Sequence, residues 1–360
     1  MKNIGIVTPY GNKNFGNKLQ NYALQEVLKK FDFNVVTFKN YNWSNSKKFY
    51  FLRFLKNLLF TKEEILNDRT KAFLEFNKYI NYSNKIYNAY SKYDEFDYVV
   101  VGSDQVWNPD QRRLRDFDIL TNVSSDKRIA YAASFGIDNI DKKYYKKLKK
   151  IFSKYKAISV REEAGKKIIN DILDSIDVEV VLDPTLLLAS NDWEKITKAP
   201  NKKIPSKYIL CYFLGNLSSE KNKSILKYAK KNKCEIINIL DSKDPFYNSG
   251  PSEFLYLEKH AHLICTDSFH SSVFAFIFNK PFVFFNRDQA NLKDMNSRIE
   301  TFLKSLEITD RIYNGENITA SNIKYDYSKS YKLLDKERKR AYSFLKEALD
   351  VKAGDEISGE

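Results

Sequence analysis

The sequence predicts an α/β protein made of two doubly wound, parallel-sheet domains facing each other across a cleft. Three observations carry this. Short runs of branched and aromatic residues alternate with segments of helical spacing along most of the 360 residues. The alternation breaks once, after Asp183-Pro184, and then restarts. Apolar runs such as YVVVG lack in-out alternation, which is how strands covered by helices on both faces read.

Taken in order, Asn3 to Thr8 reads as a strand that ends in Pro9, Gly11 and Gly16. Leu19, Tyr22, Ala23, Val27 and Leu28 then recur at helical spacing, and Asn34 to Phe38 is a second strand. Between Asn40 and Tyr90 the pattern is less regular. There Tyr50 to Phe60 sets Phe51, Leu52, Leu55, Leu58 and Leu59 along one helical face, with Arg53 and Lys56 beside it. That stretch reads either as a helix packed on the sheet or as a membrane-surface helix. Strands follow at Asp97 to Gly102, Arg128 to Ala132, Ala157 to Val160 and Val178 to Leu182, with helices at Lys142 to Lys154 and Glu162 to Leu173. Residues 1–188 therefore form the first domain. Residues 189–206, poor in apolar residues and carrying two prolines, read as a linker. Residues 207–330 repeat the grammar, with strands at Tyr208 to Leu214, Glu235 to Leu240, His262 to Cys265 and Pro281 to Phe285. Helices run from Ser218 to Lys231 and begin after Gly250-Pro251 and after Ser268. Residues 331–360 form a C-terminal helix and tail, with Leu333, Leu334, Ala341, Phe344, Leu345 and Ala348 on one face.

Composition narrows the classes. Hydrophobic residues at 43% and charged residues at 29%, with 11 Gly and 8 Pro, exclude a disordered or collagen-like chain. The net charge of +14 would attract an anionic surface or an acidic substrate, but the lysines are spread along the whole chain. Cys211, Cys234 and Cys265 read as buried reduced thiols. No cleavable leader or membrane span is evident, so the expected location is the cytoplasm, with the inner membrane face in reach if Tyr50 to Phe60 lies on it. Nucleic-acid signatures, GxSxG, HExxH and CxxC are missing. His260 and His262 form an HxH pair without further ligands at metal-site spacing, so no metal is expected.

Open parallel sheets bind ligands at the carboxyl ends of their strands, and four loops there stand out. Thr8 to Gln20 contains Gly11, Gly16, Asn17 and Gln20, and reads equally as a tight turn or a ligand loop. Gly102 to Asn108 puts Ser103, Asp104, Gln105 and an exposed-looking Trp107 at a strand end, which favours ligand contact. Arg161 stands where a strand meets a helix, suited either to a phosphate or carboxylate or to an ion pair with Glu162 or Glu163. In Thr266 to Ser272, Asp267 or Ser268 would cap the next helix and leave His270 in its first turn.

At these residues the sequence resembles the polysaccharide pyruvyl transferase family. The likeness runs from Asn3 to about Arg311, through NFGNKLQNYALQ, VVVGSDQVWNP, RIAYAASFG, ISVREEAG, VVLDPTLLL, GPSEFLYL, TDSFHSSVFAFIFNKPFV and MNSRIETFL in that order. It implies two Rossmann-like domains in a GT-B-like arrangement, acceptor side first and donor side second. It also implies transfer of an enolpyruvyl-derived group from phosphoenolpyruvate to a saccharide acceptor, lipid-linked or free, in a cell-surface glycan precursor. On this resemblance phosphoenolpyruvate is the expected donor substrate and no cofactor is expected. His270, Arg161 and Asp104 are then the expected catalytic residues. Arg298, Ser268, Ser103, Gln105, Trp107, Asn17, Gln20, Gly250 and Glu253 are expected to bind substrate. One departure is Ser271, where the family commonly has glycine. Two other readings stand beside this one: a glycosyltransferase using a nucleotide sugar, with Glu253 on the ribose, and a non-catalytic protein that binds glycans or anionic lipid.

Overall fold

The computed structural model describes residues 1–11, 13–40, 67–112, 114–173, 178–287, 297–318 and 326–352. The Tyr50 to Phe60 stretch lies outside them. Among the described residues the strands form two sheets, both parallel throughout. The α/β class with two wound parallel sheets is as expected.

In the first half, β1 (Asn3–Val7), α1 (Phe15–Lys29) and β2 (Asn34–Lys39) form the opening unit. Asn14 caps α1 by accepting the Asn17 amide at 3.0 Å. α2 (Asp68–Glu75) leads to β3 (Tyr82–Ile86), and β4 (Tyr98–Val101) and β5 (Arg128–Ala133) follow. α3 (Tyr145–Phe152), β6 (Ala157–Val160), α4 (Glu163–Ile172) and β7 (Glu179–Val180) complete the sheet, whose order is β3-β2-β1-β4-β5-β6-β7. Because successive strand residues face opposite ways, Tyr98 and Val100 of β4 pack in the core that holds α1, whereas Val99 and Val101 pack with Phe152 of α3 and Ile169 of α4.

The second half has β8 (Tyr208–Tyr212), α6 (Ser219–Asn232), β9 (Glu235–Asn238), α7 (Pro251–His260), β10 (Leu263–Thr266), α8 (Phe269–Ile277) and β11 (Phe282–Phe284), in the order β11-β10-β8-β9. α9 (Ser297–Ser305) and α10 (Ser328–Ala348) follow. Alternation again sorts the faces: Ile209 and Cys211 pack with α6, while Tyr208, Leu210 and Tyr212 share the core of α7 and α8.

Two expectations change. Residues 189–206 are not a free linker, since α5 (Ser190–Glu194) lies within them. Its Trp193 is fully buried, donates its indole N–H to the Thr185 carbonyl at 3.3 Å and meets Phe274 edge-on at 4.8 Å. The C-terminal helix starts at Ser328 and returns to the first half, where Phe344 packs on Tyr131 at 6.3 Å.

The halves meet along an aromatic seam. Phe15 at the start of α1 stacks on Phe254 of α7, with centroids 4.5 Å apart and planes 6° apart, and meets Tyr212 edge-on. Arg69 of α2 lies over Phe15 at 5.0 Å and Tyr247 at 4.8 Å and donates to the Tyr247 carbonyl.

Candidate active site

The carboxyl ends of β4, β6 and β7 all face the first turn of α8. Arg161 directly follows β6, Ser103 and Asp104 follow β4, and Asp183 follows β7. Asp183 caps the helical turn Pro184–Leu187, its Oδ1 accepting the Thr185 amide at 3.0 Å and the Thr185 hydroxyl at 2.6 Å. That leaves Oδ2 for the site. It accepts Arg161 Nη1 at 2.8 Å and the Ser103 hydroxyl at 2.7 Å, and it lies 3.7 Å from His270 Nε2.

Around this pair stand two more carboxylates. Asp104, held at a left-handed φ of 73°, lies 3.8 Å from Arg161 Nη2 and accepts Asn17 Nδ2 at 3.2 Å. Glu162 turns Oε1 to the Ser134 hydroxyl and to the Phe135 and Gly136 amides, leaving Oε2 3.9 Å from Arg161 Nε. Phe269 lies under the guanidinium at 4.7 Å. The imidazole of His270 rests on Gly16 of α1, so closely that a Cβ there would sit 2.1 Å from Nδ1. Gly16 is thus a helical residue that makes room for the ring, and not part of an open ligand loop.

Burial raises the Asp183 carboxyl, but His270 and Arg161 outweigh it and hold Asp183 far below the usual range. Asp104 is also lowered: burial opposes ionisation, and Arg161, His270 and Arg298 overcome it. Both are carboxylates at neutral pH, so neither is a proton donor. Burial and then repulsion from Arg161 bring Arg298, on α9, down to about 10. Burial also disfavours the Arg161 charge, but Asp183, Asp104 and Glu162 raise it above the usual value.

The polar atoms left over define what the site lacks. Arg161 Nε and Nη2, Arg298 Nε, His270 Nε2 and the acceptor Glu162 Oε2 are buried with no hydrogen-bond partner. An unsatisfied buried polar group costs about 1–3 kcal/mol, more when charged, so the two guanidinium groups have donors to offer a ligand that supplies acceptors. A cavity of about 40 Å³ lies against Arg161, Asp183, Phe269 and Arg298.

The sequence-predicted residues divide into two groups. His270, Arg161, Asp104, Ser103, Arg298 and Asn17 come together. Trp107 does not: it is fully buried against Phe152 at 4.6 Å, with its indole N–H on the Asp118 carbonyl at 3.1 Å, and is a core residue instead of an exposed ligand contact. Gln20 is buried too and spends its amide on the Thr8 hydroxyl and the Asn17 carbonyl, bracing the loop. Gln105 is buried against Gly136. Gly250 and Glu253 close the start of α7 on themselves. Glu253 accepts the Gly250 amide at 3.0 Å and pairs with Lys198, while a Cβ on Gly250 would meet the Ala72 carbonyl at 2.8 Å. Neither Ser268 nor Asp267 caps α8 through its side chain. Ser268 uses its backbone, donating to the Thr266 hydroxyl and accepting from Ser272. Asp267 accepts the Leu214 and Gly215 amides and Arg287. Ser271 donates to the buried Glu258 of α7.

His260 stacks on Tyr256, and His262 pairs with the Tyr228 hydroxyl at 3.3 Å. Among the described residues no group of three or more metal-type ligands occurs, and no helix is long and apolar enough to cross a membrane. The sequence reading missed Asp183 and named Glu162 only as an ion-pair partner for Arg161. The signal for Asp183 was the LDP at a strand end, an acid in the same position as Asp104 after YVVVG.

No curated protein matches the chain. Among solved structures, UDP-GlcNAc 2-epimerase from Methanocaldococcus jannaschii, in complex with UDP-GlcNAc and UDP, aligns over 93% of this chain and 99% of its own, at 15% identity and a TM-score of 0.43. The Neisseria meningitidis UDP-GlcNAc 2-epimerase bound to UDP-GlcNAc covers 96% and 99% at 14% identity and 0.44. A glycosyltransferase from Rickettsia africae ESF-5 covers 98% and 99% at 13% identity and 0.46. The model of one protein family matches residues 14–289, a span that holds Asn17, Ser103, Asp104, Arg161, Asp183 and His270. By that match the chain belongs to the polysaccharide pyruvyl transferase family.

Proposed function

We propose that the protein moves an enolpyruvyl-derived group from phosphoenolpyruvate to a sugar of a cell-surface polysaccharide precursor, forming a pyruvate ketal and releasing phosphate. The observation that carries this reading is the set of partnerless buried guanidinium nitrogens on Arg161 and Arg298, beside the His270 imidazole whose Nε2 faces Asp183. Phosphoenolpyruvate presents a carboxylate and a phosphate on a three-carbon frame, which suits two guanidinium groups set apart from an imidazole.

In the reaction one sugar hydroxyl adds to the carbon bearing the phosphate ester while the methylene carbon takes a proton and becomes a methyl group. The C–O bond to phosphate then breaks and a second hydroxyl closes the ketal. The two hydroxyl protons are accounted for, one on the methyl group and one on phosphate. His270 is the proton donor, since Asp183 and Asp104 stay ionised. Asp183 orients the ring and compensates the charge it carries when protonated. Asp104, steadied by Asn17 and more open to solvent than Asp183, accepts a hydrogen bond from the sugar hydroxyl.

A nucleotide-sugar donor would draw its diphosphate to a free helix start in the second half. At α7 the Glu253 carboxylate already takes the Gly250 amide, and after β8 Asp267 takes the Leu214 and Gly215 amides. Incubation with phosphoenolpyruvate and a panel of free and lipid-linked sugars tests the reading. Phosphate release together with the mass gain of one pyruvate ketal on a sugar is expected. Absence of both across the panel, with thermal stabilisation by nucleotide sugars alone, overturns it.

A further inference from the structure

We propose that the C-terminal helix α10, which lies beyond the residues that define the family, is a built part of the active site: it positions Asp183. This rests on the reaction proposed above, in which Asp183 orients His270. The Asp183 turn runs Pro184–Leu187 and offers its carbonyls to partners far away in sequence. Arg338 donates Nε to the Leu186 carbonyl at 2.7 Å and Nη2 to the Leu188 carbonyl at 3.0 Å. Tyr342, one helical turn on, donates its hydroxyl to the Leu187 carbonyl at 3.2 Å. Tyr131 of β5 and Trp193 of α5 hold the carbonyls of Leu182 and Thr185 at 2.9 and 3.3 Å. Five carbonyls within seven residues are thereby fixed by side chains of other elements, three of them by α10.

A turn end leaves such carbonyls without backbone partners, and a planar guanidinium can bridge two of them at once. The bridge sets the height of the turn on the sheet. Asp183 Oδ2 in turn holds Arg161 and Ser103 within hydrogen-bond distance and faces His270. α10 also reaches the site directly, because Glu337 lines the small cavity beside Arg161, Asp183 and Arg298. The apolar face of α10, with Leu334, Ala341, Leu345 and Ala348 buried, secures the helix without Arg338. Arg338 and Tyr342 are therefore positioning residues whose removal leaves the helix docked.

Two arms test this on the full chain. Hydrogen exchange read by mass spectrometry needs no substrate: Arg338→Met, which keeps the stem and loses the donors, should speed exchange over residues 183–193 and leave β8–β11 unchanged. In the phosphoenolpyruvate assay the same variant should lose about 10- to 100-fold in kcat, because the imidazole's anchor is displaced, with KM changed by about twofold or less. Added ethylguanidinium should restore part of the rate, and Tyr342→Phe should show a smaller loss of the same kind. Unchanged exchange over 183–193 in both variants overturns the proposal, as does wild-type kcat in Arg338→Met. If the wild-type protein releases no phosphate from phosphoenolpyruvate, the reaction falls, and the exchange arm still decides whether α10 clamps the turn.

Discussion

Gly16→Ala separates catalysis from stability, because its two effects act in opposite directions. Gly16 lies in the first turn of α1, where alanine is the better helix former by about 0.5–1 kcal/mol. Its Cβ, however, would fall 2.1 Å from Nδ1, 2.3 Å from Cγ and 2.7 Å from Cε1 of His270. Ordinary contact begins near 3.4 Å, so the ring must retreat by about 1.3 Å. Behind it lie Phe269, edge-on at 5.1 Å, and the Asp183 carboxylate, so the ring has to turn out of line as it retreats. A displacement of about 1 Å at a reacting group costs about 100-fold, or about 2.7 kcal/mol of barrier. Steady-state phosphate release and thermal unfolding, measured on the same preparation, should show a kcat about 100-fold down with a midpoint lowered only modestly, because the helix gain offsets part of the roughly 1–3 kcal/mol that the forced contact costs. Gly11→Ala is the control. Gly11 has a φ of +81° and nothing near its Cβ, so alanine there strains the backbone by about 1–2 kcal/mol and leaves kcat alone. A Gly16→Ala protein with wild-type kcat would show that His270 does not act from this position.

Three further outcomes follow from the same geometry. Arg161→Lys should keep the fold and raise KM for phosphoenolpyruvate by about tenfold or more through loss of the planar fork. Arg161→Ala should also destabilise by about 3–5 kcal/mol, because it removes the buried cation that faces both Asp183 and Glu162; denaturant unfolding of both variants checks this. Glu258 is fully buried, and burial pushes its carboxyl well above the ordinary value near 4.5, against the weaker pull of the Ser271 hydroxyl. A raised native carboxyl stabilises least at high pH, so wild type should lose ground to Glu258→Gln as pH rises from 4 to 7 in thermal melts; parallel curves would refute a protonated Glu258. Trp107→Ala should cost about 3–5 kcal/mol of stability while both substrate KM values, measured below the melting range, stay at wild type; a raised KM would return Trp107 to the binding site.

The buried strands were legible because continuous branched runs such as YVVV have no wet face to encode. β3 was not: Tyr82–Ile86 reads YSNKI, pairs only at the sheet edge and shifts register against β2, so neither an apolar run nor a clean alternation marks it. The polar company of Trp107 suggested a ligand loop, yet the chain there folds back over the sheet and buries the indole. A single tryptophan among Ser, Asn, Asp and Glu hid α5 in the same way. Arg161 and His270 were legible as residue types at strand and helix ends. Their meeting was not, because Asp183, which joins them, is near in space and distant in sequence.

Three successive residues of NFGN show how closely the seam and the chemistry are joined. Phe15 stacks on Phe254 and closes the two halves, Gly16 admits the His270 ring across the same joint, and Asn17 holds Asp104. Opening the seam would unstack Phe15 and withdraw His270 from Asp183 in one movement, so the seam has to be shut for the two side chains to act together. Exposure points to the substrates' route: the side chains of Asp183 and Arg161 are 0% and 1% exposed, His270 8% and Asp104 17%. The gradient opens toward Asp104. On the proposed reaction, the small anionic donor would lie innermost, against the guanidinium groups, with the bulkier sugar outside it.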